Sequence, residues 1–341
     1  MRVFNELPGA EVVALCDASE ENIAKQPKGF LPPVVTGDYE EFLGSNIDAV
    51  VIATPARTHY PLALKALHKG KHVLTEKPFA TSSAEAAELI RAAEKGGLTL
   101  MVGHTYVYHP AVEFLRELIQ TEQLGPLYYI HTARLNFGLL QPDVDVLWDL
   151  APHDLSILLY TLGEEPIAGG ARGTAHVNPS LYEIAHVDLE FLNGLLAHIY
   201  VSWLEPIKVR RFVFVGGDRT VVYDDVADGE MIRVYNKGIK LDAAAASNGK
   251  FAPQYLQEDI NIPFLPSREP LRTEAAHFLD CIRSGKRPLS DGWEGLKVVR
   301  ILEAVEKSLY NGGSMELFSP ELRIGHDEEV PVPTVQRRGR L

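Results

Sequence analysis

Hydrophobic and polar positions over the first 106 residues form two alternating kinds of segment. The run "IDAVVIATP" (47–55) is continuously apolar, as strands buried in parallel sheets are. In "TSSAEAAELIRAAEKGG" (81–97), apolar residues recur at helical spacing between a serine cap and closing glycines. Further strand-like runs lie at 10–17, 71–78 and 98–106, and a further helical segment lies at 59–70. This alternation predicts a parallel sheet with helices on both faces.

The pattern changes after residue 106, and strand-like runs dominate from about 166 to 236. Two hairpins are predicted, with turns at Asn193-Gly194 and near 216–218, because such Gly-containing dipeptides favour tight turns. Residues 237–270 are expected to be irregular. The other predicted elements are a strand at 126–138 and helices at about 109–122, 149–162, 272–284 and 292–310.

Together these elements predict an α/β fold. The first part is a Rossmann-type parallel sheet whose first strand is absent, and the second is an α+β domain with a large open, mostly antiparallel sheet. The predicted boundaries are 1–106 for the truncated Rossmann-type domain, 107–315 for the α+β domain, and 316–341 for a tail. The tail is expected to be extended or disordered.

Composition and charge narrow the class of partner. The 341 residues are 46% hydrophobic and 23% charged, and the formal charge of −13 disfavours nucleic acids and anionic membranes as partners. Cys16 and Cys281 are far apart in sequence and are expected to be reduced thiols of a cytoplasmic protein. No apolar run approaches the length of a membrane span, and no signal peptide is visible.

A doubly wound parallel sheet suggests a dinucleotide site. Asp17 closes the run "VVALCD", where an acid bonds the adenosine ribose, and a carboxylate there favours NAD over NADP because it repels a 2′-phosphate. The preceding glycine-rich loop is missing, since "MRVFNELPG" resembles the end of the first helix. Either the start is placed too far downstream, or the fold is a variant without a dinucleotide site. The intact downstream pattern favours the first explanation.

Four segments together resemble the Gfo/Idh/MocA oxidoreductases, which act on sugars and cyclitols. They are "ATPARTHY" (53–60), "EKP" (76–78), "GHTYVYHPAV" (103–112) and "WDLAPHDLSILLYTLG" (148–163). The chain looks most like the nucleotide-sugar branch, which includes UDP-N-acetylglucosaminuronate 3-dehydrogenases. The resemblance implies that Lys77, Asp149 and His153 are the catalytic lysine, aspartate and histidine. Tyr108 departs from the family pattern, because many members carry an arginine there.

Asp149 and His153 are four residues apart, and therefore lie on one face of a helix. Oxidation of a sugar carbon needs a base for the hydroxyl proton, and histidine suits this role; Asp149 would orient the imidazole. Lys77 would stabilise the developing alkoxide. The structural alternatives are a helix cap for Asp149 and an ordinary core histidine for His153. A metal is less favoured, because D-x-x-x-H supplies only two ligands.

The predicted cofactor contacts stand at the ends of the parallel strands, where ligands bind in open α/β sheets. Turn chemistry or capping is the alternative for Thr54, Pro55 and His59. The full set is Asp17, Ser19, Thr54, Pro55, His59, Glu76 and Lys77.

The predicted substrate contacts come from the segments around the Asp149–His153 helix. Arg134 and Asn136 alternate on one strand and share a face, where an arginine suits a carboxylate or phosphate; a solvated sheet face is the alternative. In "WLEPIKVRR", Lys208, Arg210 and Arg211 are interpreted as a solvated edge. The predicted set is Tyr106, His109, Arg134, Asn136 and Trp148.

The sequence thus predicts an NAD-dependent dehydrogenase that oxidises a secondary hydroxyl of a sugar or nucleotide sugar of the UDP-hexosamine or uronate type. Two alternatives stay open: a cofactor-deficient sugar-binding or regulatory homologue, and an NAD-dependent glycosidase of the same family. The open sheet has a face that needs cover, and the resemblance implies a homodimer or homotetramer.

Overall fold

The computed structural model describes residues 1–26, 31–138, 140–141, 144–241 and 253–318. Its N-terminal strands are β1 (Ala14–Cys16), β2 (Val34–Thr36), β3 (Ala49–Ile52), β4 (His72–Glu76) and β5 (Leu100–Gly103). β1 pairs with β2, and the other three form a sheet in the order β3-β4-β5. Every pairing is parallel. The predicted parallel sheet is therefore confirmed, and in the described residues it consists of two separate pieces.

Five helices accompany these strands: α1 (Arg2–Glu6), α2 (Glu20–Ala24), α3 (Tyr39–Gly44), α4 (His59–His68) and α5 (Ser83–Gly96). The sequence of α5 explains its ends. The Ser82 side chain accepts a hydrogen bond from the Glu85 amide at 3.3 Å, and Gly97 ends the helix at a φ of 62°. Its buried residues, at positions 86, 89, 90 and 93, form one apolar stripe, and the helix packs against α4 and against the helix at Gly292–Tyr310.

A nine-stranded sheet forms most of the second part. Its strands are β6 (Leu127–Phe137), β7 (Ala168–Thr174), β8 (Ile184–Glu190), β9 (Leu196–Ser202), β10 (Leu204–Gly216), β11 (Thr220–Asp224), β12 (Ile232–Leu241), β13 (Pro253–Asn261) and β14 (Glu316–Leu317). Their order is β13-β12-β11-β10-β6-β9-β8-β7-β14. β6 and β9 are parallel, and all other neighbours are antiparallel. The predicted large, mostly antiparallel sheet is confirmed.

Both predicted hairpins are present, joining β8 to β9 and β10 to β11. At the first turn, Gly194 has a φ of 84° and the Asn193 side chain accepts from the Leu195 amide at 2.9 Å. The expectation that residues 237–270 are irregular is wrong in part, because β12 extends to Leu241 and β13 lies within that range. β13 is an edge strand with mostly exposed residues, so its sequence lacks the alternation that marks a half-buried strand.

The remaining helices are α6 (Pro110–Gln120), α7 (Val146–Leu162), α8 (Pro270–Ser284) and α9 (Gly292–Tyr310). α7 and α9 pack against one side of the large sheet, α9 also contacts β5 of the parallel sheet, and α6 packs on α7. On β8 the residues facing this layer, Ala185, Val187 and Leu189, are buried, whereas the intervening side chains are exposed. The core therefore lies between the large sheet and its helices, and the outer face of the sheet stays open.

Helix α9 links the two parts of the molecule. It packs against α5 on one side and against β7 and α7 on the other. Just before it, the Ser290 carbonyl accepts a hydrogen bond from the Val102 amide of β5 at 2.7 Å. From α8, Phe278 packs against Leu74 and Met101. The C-terminal helices thus complete the packing of the N-terminal sheet.

Cys16 and Cys281 are free thiols, and Cys281 is buried. Within the described ranges, no helix has both the length and the apolar character needed to cross a bilayer. The predicted tail lies, from residue 319 onward, outside the described residues.

Candidate active site

Lys77 follows β4 and precedes a cis peptide bond to Pro78. Its ammonium donates to the backbone carbonyl of Asp149 at 2.7 Å and to Oδ1 of the same residue at 3.1 Å. The side chains of Lys77 and Asp149 keep only 18% and 20% of their exposure. The end of a parallel strand and the first turn of α7 therefore meet at this ion pair.

The second carboxylate oxygen of Asp149 accepts a hydrogen bond from Nε1 of Trp203 at 3.0 Å. Trp203 is buried between the ends of β9 and β10. With Lys77 on one oxygen and the indole on the other, the Asp149 carboxylate makes no hydrogen bond with His153. Asp149 was expected to orient the His153 imidazole. In the structure its carboxylate bonds Lys77 and Trp203 instead.

Helix α7 begins at Val146, and Asp145 is its cap, accepting from the Trp148 amide at 3.1 Å. The capping role considered for Asp149 thus belongs to Asp145. Pro152 lies inside the helix and has no N–H, so the Trp148 carbonyl loses its helical donor and the ladder is interrupted at this turn. The carbonyl of the next residue, Asp149, is the one that receives the Lys77 ammonium.

His153 lies one turn after Asp149, and its Nδ1 is buried with no hydrogen-bond partner among the described residues. The ring of Tyr106 approaches it edge-on, with the centroids 5.1 Å apart. Burial, followed by the charges of Arg134 and Lys77, lowers the pKa of His153 well below its usual value of 6.5. The imidazole is therefore neutral at neutral pH and can accept a proton.

His104, at the end of β5, is a site residue that sequence reasoning did not select. It is 2% exposed, and neither ring nitrogen has a partner in the described structure. Burial and the charge of Lys77 lower its pKa to about 4. The motif "GHTY" contains it, but nothing in the local pattern distinguishes a site histidine from a core histidine.

Arg134 lies on β6, faces the site and is 3% exposed. Its Nε donates to Oδ2 of Asp154 at 2.8 Å, and its guanidinium stacks over the Tyr106 ring, 4.8 Å from the centroid. Arg134 was expected to pair with an anionic group of the substrate. Its guanidinium already forms an ion pair with Asp154, with which a substrate anion would compete.

Arg210 is also a site residue, which corrects the interpretation of its segment as a solvated edge. It donates to the Tyr106 hydroxyl at 2.7 Å and to Oδ2 of Asp225 at 3.1 Å. Burial would raise the pKa of Asp225, but hydrogen bonds from Arg210 and Tyr223 outweigh it and lower the pKa. Lys208 and Arg211, in contrast, are exposed. Tyr106 therefore joins Arg134 and Arg210 beside His153.

The other predicted substrate residues are placed differently. His109 caps α6 by accepting from the Ala111 amide at 3.1 Å. Trp148 donates from Nε1 to Glu306 of α9 at 2.8 Å, so its polar atom is already bonded within the protein. Asn136 lies beside Gly138. Of the five, Tyr106 and Arg134 come together beside His153.

The predicted cofactor residues lie at the carboxyl ends of the parallel strands. Asp17 accepts from the Ser19 amide at 2.8 Å, and the Ser19 hydroxyl accepts from the Asn22 amide at 3.3 Å, capping α2. Thr54 accepts from the Thr58 hydroxyl at 2.7 Å. The Asn22 side-chain amide also donates to the two Asp17 oxygens, at 3.4 and 3.3 Å, so the carboxylate at the end of β1 is bonded to the start of α2.

His59 has a structural task in this region. It is 1% exposed; its Nδ1 lies 2.7 Å from the Pro78 carbonyl and its Nε2 lies 2.8 Å from the Thr54 carbonyl. The imidazole therefore connects two loops: the loop after β3, which contains Thr54 and Pro55, and the loop after β4, which contains Lys77 and Pro78. Glu76 is mostly buried against Gly103, where a Cβ would come within 3.0 Å of its Oε2.

These residues fit a dinucleotide at its two ends. Asp17 offers a carboxylate for a ribose, and the unpartnered nitrogens of His104 stand with Lys77 at the ends of β4 and β5. In the part of the chain that the structure describes, no glycine-rich turn leads from a parallel strand into a helix to hold a pyrophosphate.

The loop that contains Glu183 is hydrogen-bonded to two elements of the site. The Glu183 carbonyl accepts from the Trp203 amide, and the Tyr182 carbonyl accepts from the amide of Val146, the first residue of α7. The buried carboxylate of Glu183 accepts from the amides of His176, Val177 and Asn178. Burial would raise the pKa of Glu183, but these backbone bonds outweigh it and lower the pKa from 4.5.

We expect Glu183→Gln to lower the free energy of unfolding by about 1–3 kcal/mol at neutral pH, because the amide cannot accept three N–H groups. The carboxylate stabilises the fold above pH 4.5, and this contribution is lost as the pH falls through its lowered folded pKa. Urea unfolding at several pH values should show the difference between variant and parent shrinking in acid. A constant difference would contradict the ionised carboxylate as the cause.

Comparisons with known proteins agree with this architecture. Residues 1–104 match the oxidoreductase family with an NAD-binding Rossmann fold, and residues 112–222 match the GFO/IDH/MocA C-terminal domain. UDP-N-acetylglucosamine 3-dehydrogenase from Acidithiobacillus ferrooxidans is 30% identical over 75% of this chain and 76% of its own length. Its solved structure superposes with a TM-score of 0.66 at 28% identity, covering 81% of this chain and 83% of that one.

A second relative has a different substrate in its name. The scyllo-inositol 2-dehydrogenase (NAD(+)) of Bacillus subtilis is 24% identical over 92% of this chain and 91% of its own. Both relatives are dehydrogenases of hydroxyl groups, and the chain is an oxidoreductase of this class. With two matching family domains and the fold described above, the chain belongs to the GFO/IDH/MocA oxidoreductase family.

Proposed function

We propose that the chain is an NAD-dependent dehydrogenase that oxidises a secondary hydroxyl of a sugar or nucleotide sugar. One observation carries the proposal: the Lys77 ammonium is held by Asp149 at the end of a parallel strand, one helical turn from a neutral, buried imidazole. A cation and a base at the carboxyl edge of such a sheet are the two groups that alcohol oxidation requires.

In the proposed reaction, His153 accepts the proton of the substrate hydroxyl, and Lys77 donates a hydrogen bond to the oxygen as negative charge develops on it. Asp149 and Trp203 position the lysine through their hydrogen bonds. The nicotinamide, when bound, supplies the acceptor for the hydride that leaves the same carbon. The products are a ketone, a reduced cofactor and one proton. The proton is first held by His153 and is then released to solvent.

Preference for NAD over NADP is assigned to Asp17, whose carboxylate would repel a 2′-phosphate. We expect Asp17→Asn to lower the ratio of kcat/KM with NAD to that with NADP by about 10-fold, because a like-charge contact is removed while the Ser19 hydrogen bond is kept. Glu20→Gln, which removes an exposed charge nearby, is the matched control and should leave the ratio unchanged. An unchanged ratio in Asp17→Asn would remove the carboxylate from cofactor selection.

The substrate class is proposed as nucleotide sugars of the UDP-hexosamine or uronate type. The support is the relative whose name includes UDP-N-acetylglucosamine, together with two arginines beside His153. The test incubates the purified chain with NAD and a panel containing UDP-N-acetylglucosamine, its uronate, free sugars and scyllo-inositol, and follows the absorbance of the reduced nicotinamide. Turnover highest with a UDP-sugar supports this class.

Two results of the same experiment would overturn the dehydrogenase. Sugar binding without any reduced cofactor, although NAD binding is measured by calorimetry, would indicate a binding or regulatory protein. Release of a free sugar from a glycoside with no net change in NAD would indicate a glycosidase.

A homodimer or homotetramer in the cytoplasm is part of the proposal. The outer face of the large sheet exposes Tyr129 and Leu196 by 48% and 55%, and a second copy of the chain is its proposed cover. The free thiols of Cys16 and Cys281 suit a reducing compartment. Light scattering on the eluting protein would contradict the oligomer if the mass were that of one chain.

A further inference from the structure

Two arginines stand beside His153 on neighbouring strands of the large sheet. In the antiparallel register, Arg210 of β10 lies opposite Arg134 of β6. Both guanidiniums meet the Tyr106 hydroxyl: Nη1 of Arg210 donates to it at 2.7 Å, and Nη1 of Arg134 donates to it at 3.4 Å. The Tyr106 ring packs edge-on against His153, so both cations lie close to the proposed base.

Arg134 is enclosed by the protein. Its Nε forms an ion pair with Oδ2 of Asp154 at 2.8 Å, and the two side chains keep only 4% and 0% of their exposure. The Tyr106 ring covers one face of the guanidinium, 4.8 Å from its centroid. A buried carboxylate that loses its only cation is strongly destabilising, so Asp154 retains this arginine when a substrate binds. Arg134 is therefore a structural cation of the site.

Arg210 is held differently, because its side chain keeps 34% of its exposure. Its hydrogen bonds to the Tyr106 hydroxyl and to Oδ2 of Asp225 both come from Nη1. Among the described residues, Nε and Nη2 of Arg210 have no hydrogen-bond partner. These two nitrogens form one planar edge of the guanidinium, which suits a carboxylate or phosphate bound through two parallel hydrogen bonds.

The partners of Arg210 fix the direction of this edge. Oδ2 of Asp225 accepts from Arg210 at 3.1 Å, and Oδ1 accepts from the Tyr223 hydroxyl at 2.9 Å, so the carboxylate is anchored through both oxygens. An arginine that is already fixed at one nitrogen loses little side-chain entropy when an anion binds at the opposite edge. The Arg210 guanidinium is thus pre-organised for an anion beside His153.

We propose that Arg210 binds an anionic group of the substrate, a carboxylate or phosphate carried by the sugar, through Nε and Nη2. The anion belongs to a part of the substrate other than the reacting hydroxyl, which Lys77 and His153 bind. The inference rests on the proposed dehydrogenase site, and it selects Arg210, not Arg134, as the residue that determines specificity. It predicts that the site prefers anionic sugars to neutral sugars and cyclitols.

The test is calorimetric titration of the full chain, with NADH present so that no oxidation occurs. The ligands are UDP-N-acetylglucosamine, which is anionic at its phosphates, glucuronate, which is anionic at its carboxylate, and neutral scyllo-inositol. Arg210→Met should weaken binding of the ligand that carries the recognised anion by about 10- to 100-fold, the usual value of hydrogen bonds to a charged group, and leave scyllo-inositol unchanged. A loss confined to UDP-N-acetylglucosamine assigns the anion to the phosphates, and a loss confined to glucuronate assigns it to the carboxylate.

Two further variants make the result specific. Arg210→Lys keeps the charge but not the two-nitrogen edge, and should weaken the same ligand by a smaller factor. Arg91→Met, which removes an exposed arginine of α5, is the matched control and should bind all three ligands as the parent does. Steady-state kinetics should show a raised KM for the anionic substrate in Arg210→Met, with a smaller change in kcat.

Three results would overturn the inference: equal weakening of all three ligands in Arg210→Met, unchanged binding of both anionic ligands, or a parent without preference for anionic ligands. The first would indicate a structural role for Arg210. A parent that binds the anionic ligands through Arg210 but reduces no NAD with any sugar would instead refute the proposed dehydrogenase, so the two failures are distinguishable.

Discussion

Substitution of Lys77 by methionine should lower kcat with the best sugar substrate by about 10²- to 10³-fold, the usual cost of removing a charge-stabilising donor from an active site. Methionine keeps the length and the apolar stem of the side chain. It removes the ammonium that bonds the Asp149 carbonyl and would bond the developing alkoxide. Steady-state kinetics in both parent and variant measure the effect.

Two controls make the Lys77 result specific. Lys69→Met removes an exposed lysine at the end of α4 and should leave kcat unchanged. Binding of NAD by Lys77→Met, measured by calorimetry, should stay within a few-fold of the parent, which separates lost chemistry from lost folding. A variant that keeps the parent kcat would refute the role of the lysine.

Replacement of His153 by asparagine should lower kcat by about 10²- to 10⁴-fold, because the amide cannot take the hydroxyl proton. Asparagine is polar and smaller than histidine, so the buried Tyr106 contact is loosened without burying a new charge. Cofactor binding is expected to persist. His68→Asn is the matched control on the surface.

The pH profile of the parent gives an independent check on His153. Its pKa lies well below 6.5, so the imidazole stays neutral as the pH falls through that value. We therefore expect kcat/KM to remain level through pH 6.5 and to decline only in more acidic solution. The same sign applies to stability: the unfolded chain binds the proton first, so the folded state loses stability as the pH falls below 6.5. A decline in kcat/KM centred at 6.5 would contradict the lowered pKa.

The sequence predicted the elements whose side chains repeat with a local period. Helix α5 and the two hairpins are examples. Apolar residues recur at every third or fourth position in the helix and at every second position in the strands, so the local sequence indicates both. β13 was missed, since an edge strand of exposed residues has no such period and is held by pairing with β12.

For the site, the family motifs placed Lys77 and Asp149 together, but not their contacts. The Lys77–Asp149 and Trp203–Asp149 hydrogen bonds join residues 72 and 54 positions apart, respectively. No local pattern encodes such pairs. For this reason the partner of the Asp149 carboxylate was expected to be its neighbour on the helix, His153. Arg210 was misread similarly, because its partners Tyr106 and Asp225 come from other elements.

The position of α9 determines which motions are open to the molecule. The helix packs at once on α5 and on β7, and Ser290, just before it, accepts a hydrogen bond from the Val102 amide of β5. A rigid-body hinge that opens and closes a cleft between the two parts would have to break this continuous apolar packing. Substrate entry must therefore depend on local loop movements, and turnover limited by product release would be altered by loop substitutions rather than by changes in α9.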